Sequence, residues 1–169
     1  MSKKQSANLG SQYFLKTACV QPTADLHSKF DNLYLRHHSG GINAIMIMPS
    51  PPKFIKAHST SDSRILFTSA SHPERQWGLV LGRNKNTRED KLGAWEEVLI
   101  VQDEVESGKD EAKEGELSDD ILDYKSRWRG WMVCEWQYEH PQLFWITDAL
   151  KGEVPNFCER VRIWRERLE

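Results

Sequence analysis

Short runs of β-forming residues, cut apart by prolines, glycines and polar linkers, limit what this chain can fold into. "YFLKTACV" (Tyr13 to Val20) is followed by a turn-forming "PTAD" at Pro22 to Asp25. A run around Asn32 to His37 and an apolar one from Ile42 to Met48 flank Ser39, Gly40 and Gly41, which reads as a hairpin. "PSPPKF" (Pro49 to Phe54) ends it, because proline cannot donate to a ladder. Further runs at Arg64 to Ala70, Trp77 to Gly82 and Ala94 to Val101 precede "WRGWMVCEW", "QLFWITDAL" and "CERVRIW". Such spacing suits antiparallel strands better than βαβ units. The predicted fold is all-β, a sandwich before a barrel-like domain, with a β-trefoil of eroded repeats as the alternative.

A chain of 169 residues fits one domain and buries roughly 70% of its unfolded surface. Residues 1–12 read as a flexible tail and 13–169 as a single β domain. The formal net charge of −2 supplies no general basic field, so neither nucleic acid nor membrane is an expected partner. "MSKKQSANLGSQ" lacks the apolar core of an export signal, and no later run approaches the ~20 apolar residues of a membrane helix. The expectation is a cytoplasmic chain, or a secreted one if a signal has been removed. Between Asp103 and Asp120 nine acidic residues stand against two lysines. This stretch reads as a solvated loop or as a docking site for a basic partner.

Period-two alternation assigns faces to the candidate site residues. Leu33, Leu35 and His37 share one face, while Tyr34, Arg36 and His38 take the other. His37 is either a satisfied core or turn histidine, or a group for acid, base or orienting work, since imidazole titrates near neutrality. Asn43, inside an apolar run, needs partners if its amide is buried. In "WMVCEW" Trp131, Val133 and Glu135 alternate with Met132, Cys134 and Trp136, so each face carries a tryptophan. One set reads as core; the other, with Trp95, Trp128 or Trp145, reads as more core, as a cavity wall or as a sugar-stacking platform. Glu135 is either an acid raised by desolvation among aromatics or an outward strand residue, and the outward reading is favoured.

Adjacent His37 and His38 point to opposite faces, and Cys19, Cys134 and Cys158 have neither CxxC pairing nor metal spacing. No metal site is expected, and three cysteines allow one intrachain disulfide at most. GxSxG, GxGxxG and GKS/T are absent, which argues against a serine hydrolase and against a glycine-rich nucleotide loop. No cofactor is expected.

"KFDNLYLRHHSGGINAIMI", "WGLVLG", "AWEEVLI" and "GWMVCEWQYEHPQLFW" together resemble a family of small fungal β-proteins, DUF7907-like, whose most specific mark is the late tryptophan-rich motif. The likeness runs from Tyr13 to Val161 without the acidic stretch. It implies that Cys134 and Cys158 pair in an oxidising compartment. The chain departs in reading "HSGGIN" where relatives favour "HTGAGLND", so the aspartate of that motif has no match here. A further resemblance, to fungal hetero-Diels–Alderases, implies a cofactor-independent cyclase or isomerase of natural-product biosynthesis acting on a small apolar metabolite. The expected catalytic groups are His37, Asn43 and Glu135, with Tyr34, Trp95, Trp131 and Trp136 as substrate walls. A non-catalytic glycan or metabolite binder, or an effector or surface protein that only contacts other proteins, would fit the same residues.

Overall fold

The computed structural model describes residues 12–20, 28–37, 44–47, 55–59, 65–68, 75–82, 93–102, 127–135 and 140–168. These hold ten strands and no helix: β1 (Tyr13–Cys19), β2 (Tyr34–His37), β3 (Ala44–Ile47), β4 (Lys56–Ser59), β5 (Ile65–Thr68), β6 (Gln76–Leu81), β7 (Trp95–Gln102), β8 (Trp128–Cys134), β9 (Gln142–Thr147) and β10 (Cys158–Arg167). Residues 1–11 of the expected tail, the turn at Ser39 to Gly41 and the acidic stretch 103–120 lie outside the described residues.

All pairings are antiparallel, and the sheet closes into a barrel of eight strands running β1, β4, β5, β6, β7, β9, β8 and β10, back to β1. The β2–β3 hairpin is wedged in between β1 and β9, each of which divides one edge between two partners. On β1, Tyr13 faces Ala57 of β4 and Lys16 faces Tyr34 of β2. On β9, Gln142 faces Ile45 of β3, whereas Phe144 to Ile146 face Glu97 to Trp95 of β7. Closure leaves these strands no long free edge for another chain to pair with. Of the sheet architectures compatible with the sequence pattern, the barrel is the one found, rather than the sandwich.

Alternation fills the interior. Tyr13 and Leu15 on β1, Leu33 and Leu35 at β2, Trp131 and Val133 on β8, Leu143 and Trp145 on β9, and Val161 and Ile163 on β10 join one buried cluster. The outer faces of β8 and β9 are buried as well. There Met132, Cys134, Phe144, Ile146 and Cys158 form a second cluster, covered by Trp95, Leu150 and Val154. A third, of Tyr34, Ile45 and Ile47 with Phe14, lies outside the β1–β3 wall.

Strand β4 has no counterpart in the sequence reading, which ended the hairpin at the prolines and resumed at Arg64. Its residues, Lys-Ala-His-Ser, lack the branched and aromatic side chains that favour strands. Tertiary contacts decide instead: Ala57 is fully buried, and the Ser59 hydroxyl meets the Tyr13 hydroxyl at 2.8 Å. Buried Thr17 secures the loop before β2, donating from Oγ1 to the Phe30 carbonyl at 2.6 Å and accepting from the Leu33 N–H at 2.9 Å. Asn32, at φ 57°, turns that loop, a left-handed position that asparagine tolerates better than most residues.

Candidate functional site

Strand β8 carries a bulge. Trp131 faces Trp145 and Trp128 faces Thr147, so three steps on β8 match two on β9. Gly130 absorbs the extra residue with φ +127°, a conformation open chiefly to glycine. Strict alternation would send Trp128 to the face opposite Trp131; the bulge turns it inward, where its ring meets that of Trp131 edge-on with centroids 5.9 Å apart. Trp145, 4% exposed, donates its indole N–H to the Gly82 carbonyl at 3.2 Å.

An inward row therefore crosses four strands: Glu96 faces Trp145, Trp145 faces Trp131, and Trp131 faces Val161. Glu96 is 7% exposed and accepts from the Gly93 N–H at 2.9 Å. Thr147, buried one step along, donates its hydroxyl to the Gly93 carbonyl. The sequence reading did not single out Glu96, yet alternation through Glu96, Val98 and Ile100 carries the signal.

Beside this row the β8–β10 ladder ends, an opening in the hydrogen bonding of the wall. Strands β8 and β10 pair from Cys134↔Cys158 to Trp131↔Val161 and no further, although β10 continues along β1 to Arg167 and β8 continues along β9 to Trp128. One side of the opening is Trp128 to Gly130, and the other is Arg162 to Trp164. Arg160 spans its upper end, donating from Nη1 to the Arg129 carbonyl at 3.3 Å. At the lower end Arg127 holds Asp148, with Nη2 3.0 Å from Oδ1. That hydrogen bond, aided by the charges of Arg127 and Arg129, keeps the Asp148 carboxyl below the usual carboxylate range.

The residues expected to act together are spread over separate surfaces. Trp131 is interior, Trp95 packs half-buried on the outer cluster of β8 and β9, and Tyr34 belongs to the outer cluster of β1 to β3. These three form no common wall, because adjacent strand residues and opposite barrel faces separate them. Glu135 ends up solvent-facing past the end of β8 and pairs with Lys29 at 2.7 Å, far along the strand from Trp128. His37 closes β2 opposite Ala44; Asn43 and Trp136 lie outside the described residues. Tyr34 donates to Glu166 at 2.6 Å, and burial together with that carboxylate pushes its phenol up to about 12. This is an ion-pair network with Lys16, 3.2 Å from Glu166.

Cys134 and Cys158 are directly opposed across β8 and β10 and are joined by a disulfide, with Cα atoms 4.0 Å apart. Cys19 is a free thiol. Among the described residues no group of three or more histidine, cysteine, aspartate or glutamate side chains is gathered as metal ligands would be.

The family model for a domain of unknown function, DUF7907, matches residues 10–167. No curated protein and no solved structure matches the chain. Since the match covers the whole barrel, from before β1 to the last residue of β10, the chain belongs to the DUF7907 family.

Proposed function

We propose that the protein takes up a small apolar molecule at the tryptophan row beside the β8–β10 opening and shapes it for cyclisation or isomerisation without a cofactor, as a fungal natural-product cyclase would. The observation that carries this reading is the Gly130 bulge, which gathers Trp128, Trp131 and Trp145 on one inward face where the β8–β10 ladder ends. Trp128 keeps part of its ring exposed, and buried Trp131 and Trp145 back it as a stiff apolar floor. Holding a flexible molecule near its reactive shape lowers a pericyclic barrier with no nucleophile, and orientation contributes ~7–11 kcal/mol in favourable cases. Glu96 is the polar group on the row itself.

A second reading, binding without turnover, has its own support: Glu135 is engaged by Lys29 away from the row. Sugar stacking is less well supported, because it needs an exposed ring face and every described tryptophan is at least half-buried.

Titrating the intact chain with conjugated dienes and polyenes, and separately with glycans, while following tryptophan emission and analysing the mixture by chromatography tests both. Quenching with conversion supports the cyclase; quenching without it supports the carrier. Quenching by glycans alone, or by nothing, overturns the proposal.

A further inference from the structure

Where the β8–β10 ladder ends, guanidinium groups take up the backbone of the bulge. Arg129 donates from Nη1 to the Trp128 carbonyl at 2.8 Å, and Arg160 donates from Nη1 to the next carbonyl along, that of Arg129, at 3.3 Å. Two successive carbonyls therefore hold two cations at one bulge. Gly130 leaves the room, since a Cβ there would already touch Arg160 Nη1 at 3.7 Å. Arg160 faces outward: its neighbour Val161 points into the barrel core, and Ile146 of the outer cluster lies beside it against Gly130. Arg162, two residues further along β10, takes the same outer face about 7 Å away. It is exposed, opposite the short Ala18 of β1. The arginines thus stand outside the wall whose inner side carries the tryptophan row. Like charges gathered this way repel, and the carboxylates nearby are already engaged. Asp148 has both oxygens on Arg127 Nε, at 3.1 and 3.2 Å, while Glu159 is held by Ser28 and Glu166 by Tyr34 and Lys16. Arg160 and Arg162 meet no carboxylate among the described residues. A guanidinium carries five N–H donors, of which Arg160 gives one to the bulge.

We infer that the outer face at the bulge is a binding site for a phosphate-type oxyanion, a phosphomonoester or diphosphate group. Arg160 and Arg162 donate to its oxygens, and Arg129 adds a third positive charge beside them. Such a group presents several oxygens to forked donors and carries up to about two charges. A carboxylate has one charge, which leaves the repulsion among three cations only partly offset. The site is independent of whatever the tryptophan row holds, because the sheet separates the two.

The test uses pyrophosphate, inorganic phosphate and benzoate as probes, titrated into the intact chain at low salt by calorimetry and by the arginine Nε–H resonances of the 15N-labelled protein. Pyrophosphate is expected to bind most tightly, about tenfold or more tighter than benzoate, and to move the Arg160 and Arg162 resonances. Arg160→Gln and Arg162→Gln should each weaken pyrophosphate about tenfold while leaving the melting temperature in place. Arg162→Lys should recover part of the loss, and Lys56→Gln, which removes an exposed cation on β4, should change nothing. Benzoate binding as tightly as pyrophosphate overturns the ligand class. Failure of both phosphates to bind, or binding that Arg160→Gln and Arg162→Gln leave intact, overturns the site.

Discussion

Trp128 and Trp131 face the same barrel interior, ring centroids 5.9 Å apart, although an uninterrupted strand would set residues three apart on opposite faces. The bulge between them, and the glycine that makes it, connect a local backbone choice to the composition of the candidate site.

Gly130→Ala is the direct probe of that connection. A Cβ there would meet nothing closer than 3.7 Å, so the penalty is conformational: alanine resists φ +127°. The variant should lose about 1–3 kcal/mol in a denaturant titration, and its indole spectrum should show Trp128 in a changed environment. An unchanged midpoint and spectrum would mean that the bulge does not depend on glycine.

Truncation separates the rings by role. Trp131, 2% exposed, is structural as well as part of the row, and Trp131→Ala should cost about 3–5 kcal/mol. Trp128 is half-buried at the opening, and Trp128→Phe should cost much less while weakening ligand uptake. Equal destabilisation by both changes would place Trp128 in the core proper.

The disulfide closes a loop of 24 residues, which the chain-entropy model values at roughly 3 kcal/mol. The Cys134→Ser, Cys158→Ser double variant should lose about that much, and the unreduced wild type should show one titratable thiol by intact mass after alkylation. Three alkylated cysteines would remove the bridge.

The remaining thiol should be sluggish. Burial, reinforced by the Glu159 and Asp31 carboxylates and partly offset by a hydrogen bond from Ser28, lifts Cys19 from 9.0 to about 11. Because the thiolate is the reactive form, alkylation at pH 8 should run about a hundredfold slower than for an unshifted thiol, with the rate climbing until near pH 11. Rapid modification at pH 8 would contradict this account of the Cys19 surroundings.

His58 makes stability fall with acid. It is 5% exposed, its Nδ1 has no partner among the described residues, and burial lowers its pKa below 6.5. The folded state therefore resists a proton that the unfolded chain accepts, so stability is intact above pH 6.5 and is lost as pH falls through that value. One such group contributes a slope of at most about 1.4 kcal/mol per pH unit. His58→Leu should flatten the decline in melting temperature between pH 7 and pH 5; a parallel decline in the variant would assign it to other groups.

Side-chain phase was legible wherever a strand ran unbroken. The division of Leu33 and Leu35 from Tyr34, of Trp131 and Val133 from Met132 and Cys134, and of Val161 and Ile163 from Arg162 follows from alternation and recurs in the buried clusters. What alternation could not convey was which strands adjoin. Trp95 and Trp131 were grouped by residue type, but they lie on opposite sides of the β8–β9 wall. The inward turn of Trp128 depends on a bulge whose one sequence trace is a glycine inside a strand. Strand β4 depends on packing against β1, which its own residues do not announce.

The central claim is that the inward tryptophan row receives a small apolar molecule, and indole N–H spectra of the 15N-labelled chain, recorded through a titration with a conjugated diene, test it most directly. Trp95, on the outer side of the same wall, is the internal reference. The account predicts that Trp128, Trp131 and Trp145 shift together while Trp95 stays in place. Shifts at Trp95 without the interior three, or a spectrum unchanged at saturating diene, would contradict it.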